Sequence, residues 1–311
     1  MKVSRKDEFT AFIKSVQQHI CDGIEQHEPT RKFVIDDWKR DGFGYGSTRV
    51  LSDGDVIEKG GVNISVVGGE LPESLRDKLG VEDSEFFACG ISLVIHPKNP
   101  FAPTVHANYR YFEMYDKETK AIKDQWFGGG ADLTPYYLFP EDAIHFHTIH
   151  KDVCDQFDDT FYSRFKSECD AYFFNHHRNE SRGIGGLFFD YLRPTDTDHL
   201  DHLFSFCKTA GYAFTDAYLP ILSRRKDMTY TPENRYWQEL RRGRYVEFNL
   251  IHDRGTLFGL KTKGRIESIL MSLPPRVRWD YDTHPETGTP EAELLAHLRP
   301  VDWINLTDTE T

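Results

Sequence analysis

Polar and apolar side chains alternate along residues 106 to 113, HANYRYFE. Successive side chains of an extended strand point to opposite faces, so His106, Asn108 and Arg110 share one face of a predicted strand. The opposite face carries Val105, Ala107, Tyr109 and Tyr111. The pattern predicts a strand with one apolar face and one polar face that is available for binding or chemistry.

A second predicted strand, GISLVIHP, precedes this one and repeats the alternation, with Ser92, Val94 and His96 on one face. If the two strands pair antiparallel with His96 opposite His106, Ser92 lies opposite Arg110. Polar side chains from both strands then form one patch. A solvated outer face of an antiparallel sheet explains the pattern equally well when it is taken alone.

The rest of the chain alternates in blocks of helical and extended character. A helix is predicted near residues 6 to 28, and a helical stretch from Pro140 to His177 is divided by a possible N-cap at Asp158 or Asp159. Strands are predicted within residues 43 to 69 and at 86 to 96, 104 to 115, 183 to 191 and 244 to 260. This order favours an α+β fold around a mainly antiparallel sheet, with helices packed outside it.

No repeat, low-complexity run or flexible linker divides the chain, so residues 1–311 are interpreted as a single domain. Residues 1–30 form its N-terminal helical segment and residues 304–311 a solvated, flexible tail. Nowhere do about 18 apolar residues run together, so no membrane span is expected.

The formal net charge of -12 argues against nonspecific binding to nucleic acid or to an anionic membrane. The five cysteines form an odd set without CxxC spacing, which is typical of reduced thiols in the cytoplasm. The same spacing argues against zinc ribbons and against cysteine-held iron–sulfur clusters. Because the net charge is negative, any anionic ligand must bind at a local basic site.

Three glycines precede Asp132 in the aromatic segment QWFGGGADLTPYY. Glycine permits a tight turn or close approach of a ligand, so Asp132 is expected to be presented from a rigid loop. The alternative is a glycine bulge followed by an aspartate that caps a helix.

The arginine-rich segment RRGRYVEFNLIHDRGTLFG, read as a strand, places Glu247, Asn249 and Asp253 on one face, with Arg254 directly after. Arginines here could bind carboxylates in bidentate fashion. An arginine-rich surface strand is the commoner explanation of such a run.

No complete phosphate-binding glycine motif is present, because Phe188 and Ser47 stand where the two GxGxxG-like segments would need glycine. The sequence has 14 histidines. A metal site whose ligands are His96, His106, His145 and a histidine near 176 is geometrically possible. For any single histidine a hydrogen-bonded or exposed side chain is the more common role.

Seven segments together resemble the oxygen-dependent coproporphyrinogen-III oxidase family. They are SLVIHP, HANYRYFE, WFGGGADLTP, HRNESRGIGGLFFD, TDAYLPI, RRGRYVEFNLIHDRGTLFGL and ESILMSLPP, and the similarity spans about residues 30 to 305. The resemblance implies a homodimer whose subunit has a large antiparallel sheet flanked by helices on both faces, with the substrate cleft between sheet and helices. It also implies the reaction: coproporphyrinogen III loses two propionates as carbon dioxide and gains two vinyl groups, while oxygen is reduced to hydrogen peroxide. The product is protoporphyrinogen IX, an intermediate of haem biosynthesis.

The resemblance also assigns residues. It places His106 in the proton-donor position and the dimer contact around Leu240 to Pro275. The implied substrate positions are Ser92, Asn108, Tyr109, Arg110, Lys263, Gly264 and Arg265, and the implied metal ligands are His96, His106, His145 and His177. His177 is preferred to His176 because it directly precedes Arg178 in HRNES. His252 departs from the family, whose members often carry an aromatic residue there.

A substrate with four propionates on a pyrrole macrocycle needs cations for its carboxylates and a carboxylate for its pyrrole N–H groups. Arg110, Arg254 and Arg265 are expected to hold propionates, and either Asp132 or Asp253 is expected to accept from the pyrroles. No cofactor is required if the electron-rich substrate itself reduces oxygen, with His106 moving the proton. Two alternatives remain: a metal-dependent oxygenase that uses histidines with Asp132, and a non-catalytic tetrapyrrole-binding dimer.

Overall fold

The computed structural model of the protein describes residues 4–40, 42–71, 76, 84–261 and 264–306. At its centre lies a seven-stranded antiparallel sheet with the strand order β1-β2-β3-β4-β5-β6-β9. The strands are β1 Val34–Lys39, β2 Gly44–Ser52, β3 Ile57–Glu70, β4 Ser84–Pro97, β5 Thr104–Asp116, β6 Ile122–Thr134 and β9 Gly186–Leu192, and a separate small hairpin pairs β7 Phe174–Asn175 with β8 Glu180–Ser181. The helices are α1 Arg5–Glu25, α2 Pro140–Asp155, α3 Phe161–Tyr172, α4 Thr197–Arg225, α5 Pro232–Ile251, α6 Arg254–Lys261, α7 Ile266–Leu270 and α8 Pro290–His297. The predicted α+β class and the antiparallel sheet are confirmed.

Helices α1 and α4 cover the apolar face of the sheet. The Phe9 ring of α1 lies 5.7 Å from Tyr111 and 5.8 Å from Phe127, measured between ring centroids. The Tyr109 hydroxyl donates to the Ala210 carbonyl of α4 at 3.0 Å. Burial of this aromatic and aliphatic surface is the main source of stability, since apolar burial is the dominant favourable term in folding.

Helix α5 and the segment after it pack against the opposite face near β3 and β4. The Tyr245 ring of α5 meets His96 edge-on, with 5.3 Å between centroids. Gly61 on β3 leaves the space that the Met271 sulfur fills, because an added Cβ would lie 1.8 Å from that atom. The sheet is therefore flanked by helices on both faces, as the resemblance implied.

The strand predicted over residues 244 to 260 is wrong, because helix α5 runs through Ile251 and α6 begins at Arg254. Tyr, Val and Phe in this segment favour strands locally, but tertiary context overrides such a preference. The sequence does carry a helix start: Thr231 and Asn234 form a capping box, and Pro232 occupies the first turn. Glu247, Asn249 and Asp253 therefore do not share a strand face.

Two smaller expectations also differ, and a third falls largely outside the described residues. Helix α3 has Thr160 as its N-cap, and Asp158 instead accepts from the Thr160 backbone N–H at 2.8 Å. Asp132 lies within strand β6, not in a loop. Of the predicted C-terminal tail, residues 307–311 lie outside the described residues.

All five cysteines are free and buried: Cys21, Cys89, Cys154, Cys169 and Cys207. Burial raises the pKa of each thiol, to about 12 for Cys21, Cys89 and Cys154. Across the described ranges, no helix is long and apolar enough to cross a membrane.

Candidate active site

The sheet surface that carries Ser92, His106, Asn108 and Arg110 is called the polar face. Ser92 lies opposite Asn108 across β4 and β5, and His106 lies opposite Asp132 across β5 and β6. The four side chains are partly exposed, while the apolar residues between them are buried. The predicted grouping on one face is confirmed.

The predicted strand register is wrong by two residues. Val94, not His96, lies opposite His106, and Gly90 lies opposite Arg110. A shift of two residues keeps every side chain on its own face, because side chains alternate with a period of two. The polar face was therefore predicted correctly despite the wrong partners.

His106, Asp132 and Arg182 form a chain of charged and polar contacts at one end of the polar face. The His106 Nδ1 atom lies 2.8 Å from Asp132 Oδ1. The Arg182 Nη2 atom donates to both Asp132 oxygens at 2.7 Å. Asp132 and Arg182 side chains are each 2% exposed, whereas His106 is 21% exposed. The histidine is thus the accessible member of the group.

Electrostatics keep the buried Asp132 carboxylate ionised. Burial alone would raise the pKa of Asp132, but the Arg182 guanidinium and the hydrogen bond with His106 hold it below its ordinary value. Arg182 itself lies over the rings of Phe173, Tyr245 and Phe248 at 4.1 to 4.8 Å, and its Nη1 donates to Asn249 at 2.9 Å. An ionised carboxylate fixed in this way orients the imidazole ring above it.

Arg110 is held against the sheet by its neighbours. Its Nη1 atom donates to Asn108 Oδ1 at 3.1 Å, and its Nη2 atom lies 2.7 Å from Asp190 Oδ1. A Cβ added to Gly128 on β6 would lie 2.8 Å from the guanidinium. The first of the three glycines therefore makes room for this arginine side chain.

Asp253 lies between helices α5 and α6, and Arg254 is the first residue of α6, close to strand β9. Asp253 accepts from the Tyr172 hydroxyl at 2.8 Å and from the Thr256 backbone N–H at 2.7 Å. Burial alone would raise the pKa of Asp253, but these donors hold it below its ordinary value. The Arg254 guanidinium lies 4.6 Å from the Tyr172 ring centroid and 5.6 Å from that of Phe188. Aromatic rings and a half-exposed cation thus meet at this edge.

The predicted positions near residue 265 lie at the opposite edge of the polar face. Arg265 Nη1 donates to Ser268 at 3.1 Å, Ser268 lies 2.9 Å from the Thr48 hydroxyl, and Arg265 also pairs with Asp36 on β1. The Gly264 N–H donates to Gly259 at 2.8 Å. Lys263 lies outside the described residues.

Tyr109 does not present its side chain to the polar face. It is 2% exposed and its ring lies in the core on the apolar face. Only the backbone of Tyr109 can therefore contribute to the implied substrate site, because its phenol side chain lies on the other side of the sheet.

The four implied metal ligands are not gathered in one place. His96 is buried, with its ring nitrogens 2.9 Å from the Thr104 hydroxyl and 2.8 Å from the Ser272 carbonyl. His145 lies on α2, with Nε2 2.9 Å from the Asp216 carbonyl. His177 lies between His252 and Glu247 at 2.9 and 2.8 Å.

Within the part of the chain that the structure describes, no group of three or more His, Cys, Asp or Glu side chains could hold a metal ion. The donor geometry of one subunit therefore does not fit the implied metal set. His147 and His150 are no better suited, because both rings are buried, Tyr162 and the Ile184 carbonyl occupy the nitrogens of His147, and the Phe146 carbonyl occupies one nitrogen of His150.

Two charged residues at the site were missed by sequence reasoning. Arg182 directly precedes the glycines of RGIGG, and Asp190 ends the segment GLFFD. The sequence pattern that could have drawn attention to Arg182 and Asp190 is a charged residue beside glycines or at the end of an apolar strand. This pattern does not identify the partner of either residue, because Arg182 contacts Asp132 across 50 residues of sequence.

Comparison with known proteins identifies the family of this chain. A family model described as coproporphyrinogen III oxidase matches residues 8–303. The chain belongs to the coproporphyrinogen III oxidase family. The family match thus includes every residue of the polar face and both arginine-bearing edges.

Three relatives illustrate the similarity. The chain is 52% identical over 306 residues to coproporphyrinogen-III oxidase 1, chloroplastic, of Arabidopsis thaliana, an alignment that covers 95% of this chain and 78% of the relative. It is 51% identical over 311 residues to the oxygen-dependent coproporphyrinogen-III oxidase, chloroplastic, of Glycine max, covering 95% and 79%. The corresponding protein of Hordeum vulgare is 49% identical over 322 residues, covering 97% and 80%.

Proposed function

We propose that this protein catalyses the oxygen-dependent conversion of coproporphyrinogen III to protoporphyrinogen IX in haem biosynthesis. For each of two propionates, the side chain loses carbon dioxide and one β-hydrogen. Dioxygen takes up the two electrons and two protons as hydrogen peroxide. The observation that carries the proposal is the polar face, where an accessible histidine on a buried, ionised aspartate lies on the same sheet surface as Arg110.

The distribution of cations supports binding of a polycarboxylate. Arg254 lies beside strand β9, Arg110 is on β5, and Arg265 contacts Asp36 of β1 and, through Ser268, is linked to Thr48 of β2. The three cations are therefore distributed from the β1 edge of the polar face to its β9 edge. Propionates around the rim of one macrocycle need cations at separate positions, and arginine suits carboxylates because its donors bind them in pairs.

Of the two aspartates, Asp253 is better placed to accept pyrrole N–H groups. Asp132 is buried and both of its oxygens accept from Arg182, whereas Asp253 is partly exposed beside the Tyr172 ring. We assign Asp132 to orienting His106, and His106 to moving the proton during decarboxylation.

The chemistry needs no cofactor if the pyrrole itself supplies electrons to oxygen, and the chain's residues then bind, orient and control protons. Metal-dependent oxygenation of the same substrate is the second candidate. A non-catalytic tetrapyrrole-binding dimer is the third, and it would use the same arginines without consuming oxygen.

The test is aerobic turnover of coproporphyrinogen III by metal-analysed, chelator-treated protein, with protoporphyrin fluorescence and hydrogen peroxide as readouts and an anaerobic control. Full oxygen-dependent activity without metal supports the cofactor-free oxidase. Activity that returns only on adding a divalent metal supports the second candidate, and binding without turnover supports the third. His106→Ala that turns over substrate like wild type contradicts the proton-transfer role.

We also propose a homodimer with its contact around Leu240 to Pro275. Several exposed apolar side chains in this range support it, since a contact with a second subunit would remove them from water. They are Leu250, Ile251, Phe258, Leu260 and Ile266, which are 40% to 56% exposed. Light scattering of wild type and Ile251→Glu tests this: a monomeric wild type contradicts it, and a dimer weakened by the charge supports it.

We also propose that the chain forms a single domain and that the protein is located in the cytoplasm. One family model spanning residues 8–303 supports a single domain. The location rests on cysteine usage, and the similar plant proteins carry the word chloroplastic in their names. Microscopy of the tagged full-length protein tests it.

A further inference from the structure

Asp190 lies between the two arginines at the β9 edge of the polar face. Its Oδ1 atom is 2.7 Å from Arg110 Nη2, and its Oδ2 atom is 3.8 Å from Arg254 Nη2. The Asp190 side chain is 18% exposed, while those of Arg110 and Arg254 are 37% and 51% exposed. One carboxylate thus bridges two cations that both retain accessible surface.

An irregularity in strand β9 puts Asp190 in this position. Phe189 pairs with Gly129 and Leu192 with Phe127, so β9 has one residue more than β6 between these pairs. Such a bulge places two consecutive side chains on one face. Asp190 meets Arg110 there, and the Tyr191 ring lies 5.2 Å from Trp126 on the same face.

The backbone at the bulge is held in an unusual conformation. Tyr191 has φ of 52°, in the left-handed region that side chains other than glycine rarely adopt. Its N–H donates to Asp190 Oδ1 at 3.0 Å. Residues kept in sparsely populated backbone conformations cluster at functional sites, because the surrounding structure has to enforce them.

Each arginine is also fixed on its other side. Arg110 donates to Asn108 Oδ1, and the Arg254 guanidinium lies over the Tyr172 ring. Without Asp190, two neighbouring cations on long side chains would repel each other and regain rotational freedom. With it, the group of three carries a net charge of one positive unit, which still attracts an anion.

We propose that Asp190 is a positioning residue that sets the spacing of Arg110 and Arg254, so that the two guanidinium groups bind two carboxylates of one substrate molecule. The inference rests on the proposed function, which assigns these arginines to propionates. The positioning role differs from that of a placeholder, which would occupy the arginines only until a substrate carboxylate displaced Asp190. Removal of a placeholder tightens substrate binding, whereas removal of a positioning residue weakens it.

The test is steady-state turnover of coproporphyrinogen III by Asp190→Asn. We expect KM to rise about fivefold, as for loss of a half-exposed charge pair, with kcat within about twofold of wild type. Asp124→Asn is the matched control, because Asp124 holds Arg193 at the same sheet edge with Nη2 2.8 Å from Oδ2, away from Arg110. The control should leave both constants unchanged.

A double-mutant cycle separates positioning from general damage to the fold. In an Arg110→Ala background, Asp190→Asn should raise KM by much less than in wild type, because Asp190 acts through the arginines. Equal effects in both backgrounds overturn the proposal. Thermal unfolding of each variant checks the fold, and if Asp190→Asn does not fold, Asp190→Glu keeps the charge and should still raise KM.

The outcomes distinguish the two levels of inference. A wild-type protein that does not turn over coproporphyrinogen III refutes the proposed function. An active wild type whose Asp190→Asn variant has an unchanged or lower KM, or a lower kcat alone, refutes the positioning role and leaves the proposed function standing.

Discussion

The Nη2 atom of Arg182 lies 2.7 Å from both carboxylate oxygens of Asp132, and both side chains are only 2% exposed. A buried ion pair of this kind is costly to break on one side, because the remaining charge loses its partner in a medium of low dielectric constant. The pair also links strand β6 to the segment after hairpin β7–β8. The contact that stabilises the fold is therefore also the one that holds the carboxylate proposed to orient His106.

Arg182→Met is expected to lower the free energy of unfolding by about 3 to 5 kcal/mol, because it leaves the buried Asp132 carboxylate without its guanidinium partner. Urea denaturation of the two proteins measures the difference. Arg193→Met, which breaks the more exposed pair with Asp124, should cost less than about 1 kcal/mol. Similar losses from the two variants would show that the Arg182 pair has no special weight.

Asp132→Asn is expected to lower kcat about 100-fold, because an amide no longer holds His106 Nδ1 with a carboxylate and the ring loses its fixed orientation. KM should change much less, since Asp132 is buried behind the histidine. Asp142→Asn is the control: Asp142 is also buried and is paired with Arg225 at 2.7 Å, but lies outside the polar face. A control that loses as much kcat would point to a general loss of structure.

Glu28 provides a pH-dependent contribution to stability. Burial alone would raise its pKa, but the backbone N–H groups of Thr30 and residues 55–57 donate to it and lower the pKa to about 2. A lowered pKa stabilises the fold above the ordinary value of 4.5, and this contribution is lost as the pH falls toward 2.

Glu28→Gln should therefore be less stable than wild type near neutral pH, by about 2 kcal/mol, and the difference should shrink as the pH falls from 4.5 toward 2. Urea denaturation across this range measures it. Glu286→Gln, which alters an exposed carboxylate, serves as the control. A difference between Glu28→Gln and wild type that is independent of pH would contradict the assignment.

Gly128→Ala is expected to raise KM severalfold while leaving the protein folded. The new Cβ would lie 2.8 Å from the Arg110 guanidinium, which must then leave its contacts with Asn108 and Asp190. Steady-state kinetics and thermal unfolding together measure this. Gly255→Ala, whose Cβ would come no closer than 3.3 Å to Asp253, is a milder substitution for comparison.

The polar face could be predicted from sequence because strand periodicity assigns faces without knowledge of strand partners. His106, Asn108 and Arg110 keep their common face in any register that differs by an even number of residues. The error in the predicted register therefore does not change which side chains share the polar face. Asp132 was found from its glycine neighbours, although these lie within a strand.

The rest of the site depends on contacts that local patterns do not encode. Arg182 reaches Asp132 only because the chain returns through β7, β8 and β9 to the edge of β6. Asp190 reaches Arg110 only through the bulge at Tyr191. The prediction of a strand over residues 244 to 260 is wrong because the aromatic and β-branched residues of that segment favour a strand locally, while the helix start is marked by the capping residue Thr231 further upstream.

The burial of all five thiols has a consequence for the lifetime of the enzyme. Hydrogen peroxide, which the proposed reaction releases at every step, oxidises cysteine through the thiolate form. Each thiol here is buried with a raised pKa, so a peroxide molecule that leaves the cleft meets no accessible cysteine thiolate among the five. We therefore expect the cysteines of the enzyme to survive many turnovers without oxidation.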